Sequence, residues 1–292
     1  MNKINKLFKK AKRINIDDNS KIVIMSDCHR GAGDNFDNFI QNQNIFNAAL
    51  KYYYNNNFTY IELGDGDEMW EVKQYNHIIE EHIGIFKLLK KFNDQNRFIM
   101  IYGNHDIVKR NKKIMEKYFY KYCNKLTNKE EKLLNNLKAY ESLVLKYNEH
   151  DIFLIHGHQV SFLNSTIWFI ARFLVRHIWC HLENIGIKDP TSAARNHKVT
   201  KKIERKLKKW SLKNNKIIII GHTHRPSFPE VGKSLYFNDG ACIHPNGVSC
   251  LEIENGKITL VKWKFKLSKN NLISIGRFVI DGEIPINDFY KV

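Results

Sequence analysis

Apolar residues along the chain fall into two kinds of pattern. KIVIMSD (21–27), FTYIELGD (58–65) and RFIMIYGNHD (97–106) are short, nearly continuous apolar runs, as expected of strands buried on both faces. Between them, about 38–54 and about 75–92 repeat their apolar positions at helical spacing. Strand–helix–strand–helix–strand predicts βαβ units around a parallel sheet, hence an α/β fold. Further on, 114–138 reads as two short helices, and 139–146 and 151–155 read as strands joined by a turn at 147–150. Residues 191–213 read as a basic helix, and KIIIIG (216–221), 234–237 and 248–253 as strands. Glu254-Asn255-Gly256-Lys257 is a hairpin signal leading into a strand over 258–265, followed by one more strand and a tail. No internal repeat or low-complexity linker divides the chain.

The polar residues that interrupt this pattern recur at one place. SDCHRG, GDGDE, GNHD, HGH and GHTH each lie at the C-terminal end of an apolar run. That is the edge of an α/β sheet where ligands bind, so five distant loops are expected to converge there. Asp27 and His29 are separated by one residue, as are His222 and His224. In an extended segment such pairs point the same way and grip one cation, while Cys28 turns toward the core. Asp65 follows Gly64, and Asn104, His105 and His156 complete the set. A lone DxH or HxH is weak, but five such motifs, each after an apolar strand, point to a metal site. Imidazole, carboxylate and one amide oxygen suit divalent Mn, Fe, Zn or Co, and no cysteine cluster suggests structural zinc.

Composition bounds the reading. With 292 residues, 43% apolar and 12% aromatic, the chain is globular and has room for one large α/β domain or two small ones. The net charge of +17 favours anionic partners, whether phosphorylated substrates, nucleic acid or an anionic membrane, although solvated lysine-rich helix faces would give the same number. Five scattered cysteines without a CxxC pair are expected to be reduced thiols in a cytoplasmic protein. The basic N-terminus MNKINKLFKKAKRINIDD has no long apolar run, so no secretory signal is expected, and no stretch is apolar enough to span a membrane.

The ordered motif set, covering about residues 21–260, resembles the calcineurin-like metallophosphoesterases. The resemblance implies a four-layer α/β/β/α sandwich over one domain, 1–292, carrying two divalent ions (Mn, Fe or Zn). Asp27, His29, Asp65 and His224 would hold the first ion, and Asp65, Asn104, His156 and His222 the second, with Asp65 shared. A metal-bridging hydroxide would attack phosphorus, His105 would protonate the leaving oxygen, and Asp106 would orient His105. The loop GDGDEMWE and the order HGH, helical insertion, GHTHRP are similar to the UDP-diacylglucosamine pyrophosphatase-like branch, where the insertion is a lid for acyl chains. Here the insertion would span 160–213. The sequence departs from that branch at His105, where Arg is usual, and at His158, where Asp is usual.

Several residues keep two readings. The apolar stretch 161–183, with Trp168, Trp179, Arg172 and Arg176, is either buried core or an amphipathic lid at a lipid interface. Arg30 and Arg225, each directly after a metal motif, would either hold a substrate phosphate or make surface ion pairs. Asp67 and Glu68 would orient metal ligands or cap a helix. The expected activity is hydrolysis of a small or lipid-linked phosphate or pyrophosphate in the cytoplasm, with peripheral membrane contact conceivable. A nuclease or protein phosphatase is the alternative within enzymes, and a non-catalytic scaffold the alternative outside them.

Overall fold

The computed structural model describes residues 2–34, 37–125, 127–160, 172–173, 197–267 and 272–290. Two β-sheets lie face to face with helices on both outer sides. The seven-stranded sheet contains β2 (Ile22–Met25), β3 (Thr59–Leu63), β4 (Phe98–Ile101), β7 (Ala139–Tyr140), β12 (Val248–Glu254), β13 (Lys257–Leu267) and β14 (Ile273–Pro285). Their order is β14-β13-β12-β2-β3-β4-β7. The five-stranded sheet has the order β1-β8-β9-β10-β11, from β1 (Lys12–Ile16), β8 (Leu143–Tyr147), β9 (His150–Leu154), β10 (Ile217–Ile220) and β11 (Tyr236–Asn238).

Side-chain alternation explains the layers. In β10 Ile217 and Ile219 point into the core between the sheets, whereas Ile218 and Ile220 face outward under helices. Ile22 and Ile24 of β2 likewise face the other sheet, while Val23 and Met25 face helices. A strand covered on both sides must be apolar at every position, which is why these runs show no polar alternation. The helices α2 (Gln43–Asn55), α3 (Tyr75–Glu81), α4 (Ile83–Asp94) and α5 (Lys112–Tyr118) pack on the seven-stranded sheet. Helices α1 (Asn2–Lys10) and α6 (His197–Asn214) pack on the five-stranded one. The expected four-layer α/β/β/α arrangement is the observed one.

Strands β2, β3 and β4 pair in parallel, as the βαβ pattern requires. The hairpin between β12 and β13 turns at Asn255 (φ 52°) and Gly256 (φ 68°), the left-handed pair that a two-residue turn demands.

Three expectations need correction. The helix over 75–92 is two helices, α3 and α4, joined at His82, whose buried ring lies 2.8 Å from Asp37 Oδ2. The second short helix within 114–138 is instead a hairpin, β5 (Lys121–Asn124) with β6 (Lys129–Lys132), in which Tyr122 and Asn124 donate across the strands to Glu131. The strand over 139–146 is two strands, because Glu141 and Ser142 carry the chain from one sheet to the other. Two further elements were not expected from the pattern: in the basic N-terminal segment α1 is followed by β1, which pairs in parallel with β8. Of the expected insertion over 160–213, residues 161–171 and 174–196 lie outside the described residues.

Ile219 is fully buried in the inter-sheet core. Ile219→Ala is expected to lower stability by about 2–5 kcal/mol, measured by urea unfolding, with the slope of the transition unchanged.

Candidate metal centre

Five loops leave the C-terminal ends of five strands and are laced together by their backbones. Asp27 N donates to Gly64 O (3.0 Å), His29 N to Asp65 O (2.9 Å) and Gly221 N to His156 O (3.1 Å). The side chains they bring together are those expected. Asp27, His29 and His224 form one group whose potential ligand atoms all lie within 4.8 Å of one another, and Asp65, His156 and His222 form another. Asp27 Oδ1 is 3.0 Å from His224 Nε2 and 3.7 Å from His29 Nε2. Asp65 Oδ2 is 3.0 Å from His156 Nε2 and 3.9 Å from His29 Nε2, so Asp65 stands between the two groups. Asn104 is buried, on the loop whose Gly103 and His105 pack against Asp65.

The backbone departs from the extended geometry expected of the paired motifs. Asp27 (φ 52°), His29 (φ 49°), Asp65 (φ 50°), His222 (φ 63°) and His224 (φ 54°) all adopt left-handed conformations. Asp and His tolerate this region better than bulky residues do, yet each instance stores strain of roughly 1–3 kcal/mol. Convergence in space, rather than two-residue alternation, aims these side chains. Cys28 is buried in the helix-side core, as expected. The loops pass so closely that glycine is required: a Cβ on Gly103 would lie 2.1 Å from Asp65 Oδ1, and one on Gly221 would lie 2.6 Å from Asp27 Oδ2.

Hydrogen bonding decides which nitrogens are available. His156 Nδ1 faces Leu63 O at 2.8 Å and His29 Nδ1 faces Glu68 Oε2 at 2.9 Å. A carbonyl or carboxylate oxygen only accepts, so both Nδ1 atoms carry protons. This turns Nε2 of each ring toward the carboxylates. His29 Nε2 and Asn104 Oδ1 are buried without a hydrogen-bond partner. Orphaned acceptors beside two buried carboxylates fit a cation-binding site.

Electrostatics agree. Burial opposes charge on His156, but Asp65 and Asp27 outweigh it and pull the imidazole up to about 9. Burial, reinforced by the neighbouring His156 charge, pushes His222 down to about 3. Burial would raise Asp65, yet the surrounding imidazoles hold it well below the usual carboxylate range.

Two expected roles do not match the placement. Asp106 does not bond His105; its carboxylate accepts from Gly103 N (2.7 Å), Gly66 N (3.1 Å) and Lys109 Nζ (3.0 Å). Glu68 holds His105 instead, with Oε1 2.8 Å from Nδ1, while Trp70 stacks on the ring at 4.3 Å. Arg30 is fully buried and turned away from the cleft, donating to Asp67 Oδ1 (2.6 Å) and Glu62 Oε2 (2.8 Å). It braces the loop after β3 and has no surface from which to grip a phosphate. Arg225 does stand at the rim, half-buried, with Nη1 2.6 Å from His197 Nδ1. Burial would raise the Asp67 carboxyl, but the Arg30 and Lys109 charges hold it down to about 2.

Some contributors escaped the sequence reading. Glu62 sits inside an otherwise apolar strand, and a charge there is itself a signal of a buried partner. Lys109 pairs with Asp67 (2.6 Å) as well as Asp106. Ser26 donates to Asp27 Oδ2 and lies 2.8 Å from Asp239 Oδ1.

The family model for the calcineurin-like phosphoesterase superfamily domain matches residues 21–256. The chain belongs to that superfamily. The phosphoesterase match spans all five loops of the cleft. Similar solved structures include a conserved uncharacterized protein from Streptococcus pneumoniae TIGR4 described as a predicted phosphoesterase, at 16% identity and TM-score 0.36 over 89% of this chain and 97% of that one. Vacuolar Protein Sorting 29 from Cryptosporidium parvum is another, at 14% identity and TM-score 0.41 over 89% and 98%. The same protein from Chaetomium thermophilum shows 10% identity and TM-score 0.40 over 89% and 96%. No curated protein matches the chain.

Because the proton on His156 competes with a cation for the same nitrogen, affinity for the cation it would hold is expected to rise with pH up to about 9, with the His156 proton released as that cation binds near neutral pH. Titration calorimetry with Mn in buffers of different ionisation enthalpy reads both. Gly103→Ala is expected to lower metal affinity at least about tenfold by displacing Asp65, read by metal analysis after dialysis.

Proposed function

We propose that the protein is a phosphoester hydrolase working with two divalent cations in this cleft, Mn being the first to try. The observation that carries this reading is a pair of buried acceptors without hydrogen-bond partners: His29 Nε2, within 3.9 Å of both Asp27 and Asp65, and Asn104 Oδ1, on the loop whose Gly103 and His105 pack against Asp65. One cation would be held by Asp27, His29, His224 and Asp65, and the other by Asp65, Asn104, His156 and His222. When bound, such ions supply Lewis acidity toward phosphoryl oxygens and acidify water near neutral pH.

The chain's own residues would then do three things. Leu63 O and Glu68 fix the tautomers of His156 and His29, so that Nε2 is the liganding nitrogen. Asp65 accepts a hydrogen bond from His105 N through Oδ1 (2.7 Å), which keeps its other oxygen turned into the cleft. His105, whose side chain is 21% exposed against 16% for His224, 7% for His29 and 0% for His156, is the most open of these imidazoles. With Nδ1 bound to Glu68, its Nε2 is the atom that would deliver a proton to the departing oxygen. Trp70, stacked on the ring, holds its plane.

We take the substrate to be a small or lipid-linked phosphate or pyrophosphate, because the superfamily site addresses the phosphoryl group. Residues 160–213 are read as an insertion within one phosphoesterase unit.

The purified protein is expected to hydrolyse an aryl phosphate or phosphodiester in the presence of Mn, and Asp65→Ala to abolish turnover. Metal-free protein together with an unaffected Asp65→Ala would end the reading. His105→Ala is expected to lower kcat by about 10²–10⁴-fold while leaving metal content intact. Glu68→Gln is expected to lower both kcat and metal affinity, since one carboxylate serves both rings. Steady-state kinetics paired with metal analysis separates the two.

A further inference from the structure

The excess positive charge is concentrated on one outer layer. Helices α1 and α6 lie side by side on the five-stranded sheet, burying Ile4, Leu7, Ile203, Leu207 and Trp210. Trp210 Nε1 donates to Asn5 Oδ1 at 2.6 Å, and its ring centroid is 5.9 Å from that of Phe8, so the two helices form one continuous surface. Over α1, β1 and α6 there are fourteen Lys and Arg residues and a single acid, Glu204. All fourteen are exposed. The packing of the layer does not call for this, because the buried stripe of each helix is apolar and the surface positions need only be polar.

We propose that this α1–α6 face docks on an anionic lipid bilayer. A sheet-backed pair of helices offers a broad surface rather than a groove, which suits a plane of headgroups. Lysine outnumbers arginine twelve to two, giving compact point charges suited to a diffuse anionic surface rather than planar forks for bidentate recognition. Phe8 is half-buried and Trp210 buried, so neither offers an exposed ring on which a base could stack. Leu212, 52% exposed between Lys209 and Lys213, is an apolar side chain placed to enter the headgroup layer. Among the described residues no helix is long and apolar enough to cross a membrane.

The face also borders the cleft. His197, the first residue of α6, touches Arg225, which directly follows His224. A membrane held by α6 would therefore lie beside the mouth of the site and present lipid-borne phosphate to it. That last step rests on the hydrolase reading, whereas the docking itself does not.

Vesicle co-sedimentation tests the docking without requiring turnover. The full chain is expected to sediment with phosphatidylcholine vesicles containing about 30% phosphatidylglycerol, not with phosphatidylcholine alone, and to be released when salt rises from about 0.1 to about 0.5 M. Reversing charge on α6 (Lys201→Glu, Lys202→Glu, Lys208→Glu, Lys209→Glu) is expected to weaken vesicle binding at least about tenfold while hydrolysis of a soluble aryl phosphate stays unchanged. A separate set on α1 (Lys3→Glu, Lys6→Glu, Lys9→Glu) gives an independent reading should the first not fold. Asp65→Ala is expected to bind vesicles like the parent, so failure of hydrolysis and failure of docking are distinguishable. Absence of binding to anionic vesicles, or undiminished binding by both charge-reversed proteins, would overturn the proposal. Tighter binding to duplex DNA than to vesicles at equal phosphate would overturn it in favour of nucleic acid.

Discussion

Asp27 and Asp65 are buried within a few ångströms of the same histidine ring, His29. Two carboxylates so placed repel each other and have lost most of their hydration, a combination that a protein tolerates only when positive charge lies between or beside them. Much of the surrounding architecture follows from holding them there. The backbone strain at five positions in the cleft, the glycines at Gly103 and Gly221 and the backbone bonds between loops all force an arrangement that the isolated loops would not adopt. Two packed sheets supply the rigidity that resists it.

A second buried charge network stands directly behind the first. Arg30 and Lys109 neutralise Glu62, Asp67 and Asp106 between β3, β4 and the helices, with Arg30 over the Phe86 ring (5.3 Å) and Lys109 over Phe119 (5.3 Å). Its members alternate along the chain with the groups in the cleft: Asp67 lies between Asp65 and Glu68, and Asp106 follows His105. The loop after β3 is therefore clamped on one side so that Glu68 can hold His29 and His105 on the other. Charged residues beside a metal motif are thus divided between support and chemistry according to which side of the loop they leave from.

The sequence carried much of the fold because its buried strands are fully apolar and separated by clear turn residues. Its shortfalls have physical causes. Apolar continuity through 139–146 does not show that the chain changes sheets at Glu141 and Ser142. The break at His82 comes from a contact with Asp37, some forty-five positions away. The seven expected ligands converge because each follows a strand that fixes where its loop begins. The supporting residues were harder to read. The family resemblance implied a direct role for Asp106, and adjacency to the first metal motif suggested one for Arg30, yet adjacent side chains on a tight loop point to opposite sides, and both turned to the buried network. Glu68, thirty-seven positions from His105, is its actual partner.

The account is tested most directly by anomalous diffraction from crystals grown with Mn. It predicts two peaks per chain, one bounded by Asp27, His29 and His224 and the other by Asn104, His156 and His222, with Asp65 reaching both. A single peak, or peaks away from these side chains, would contradict it.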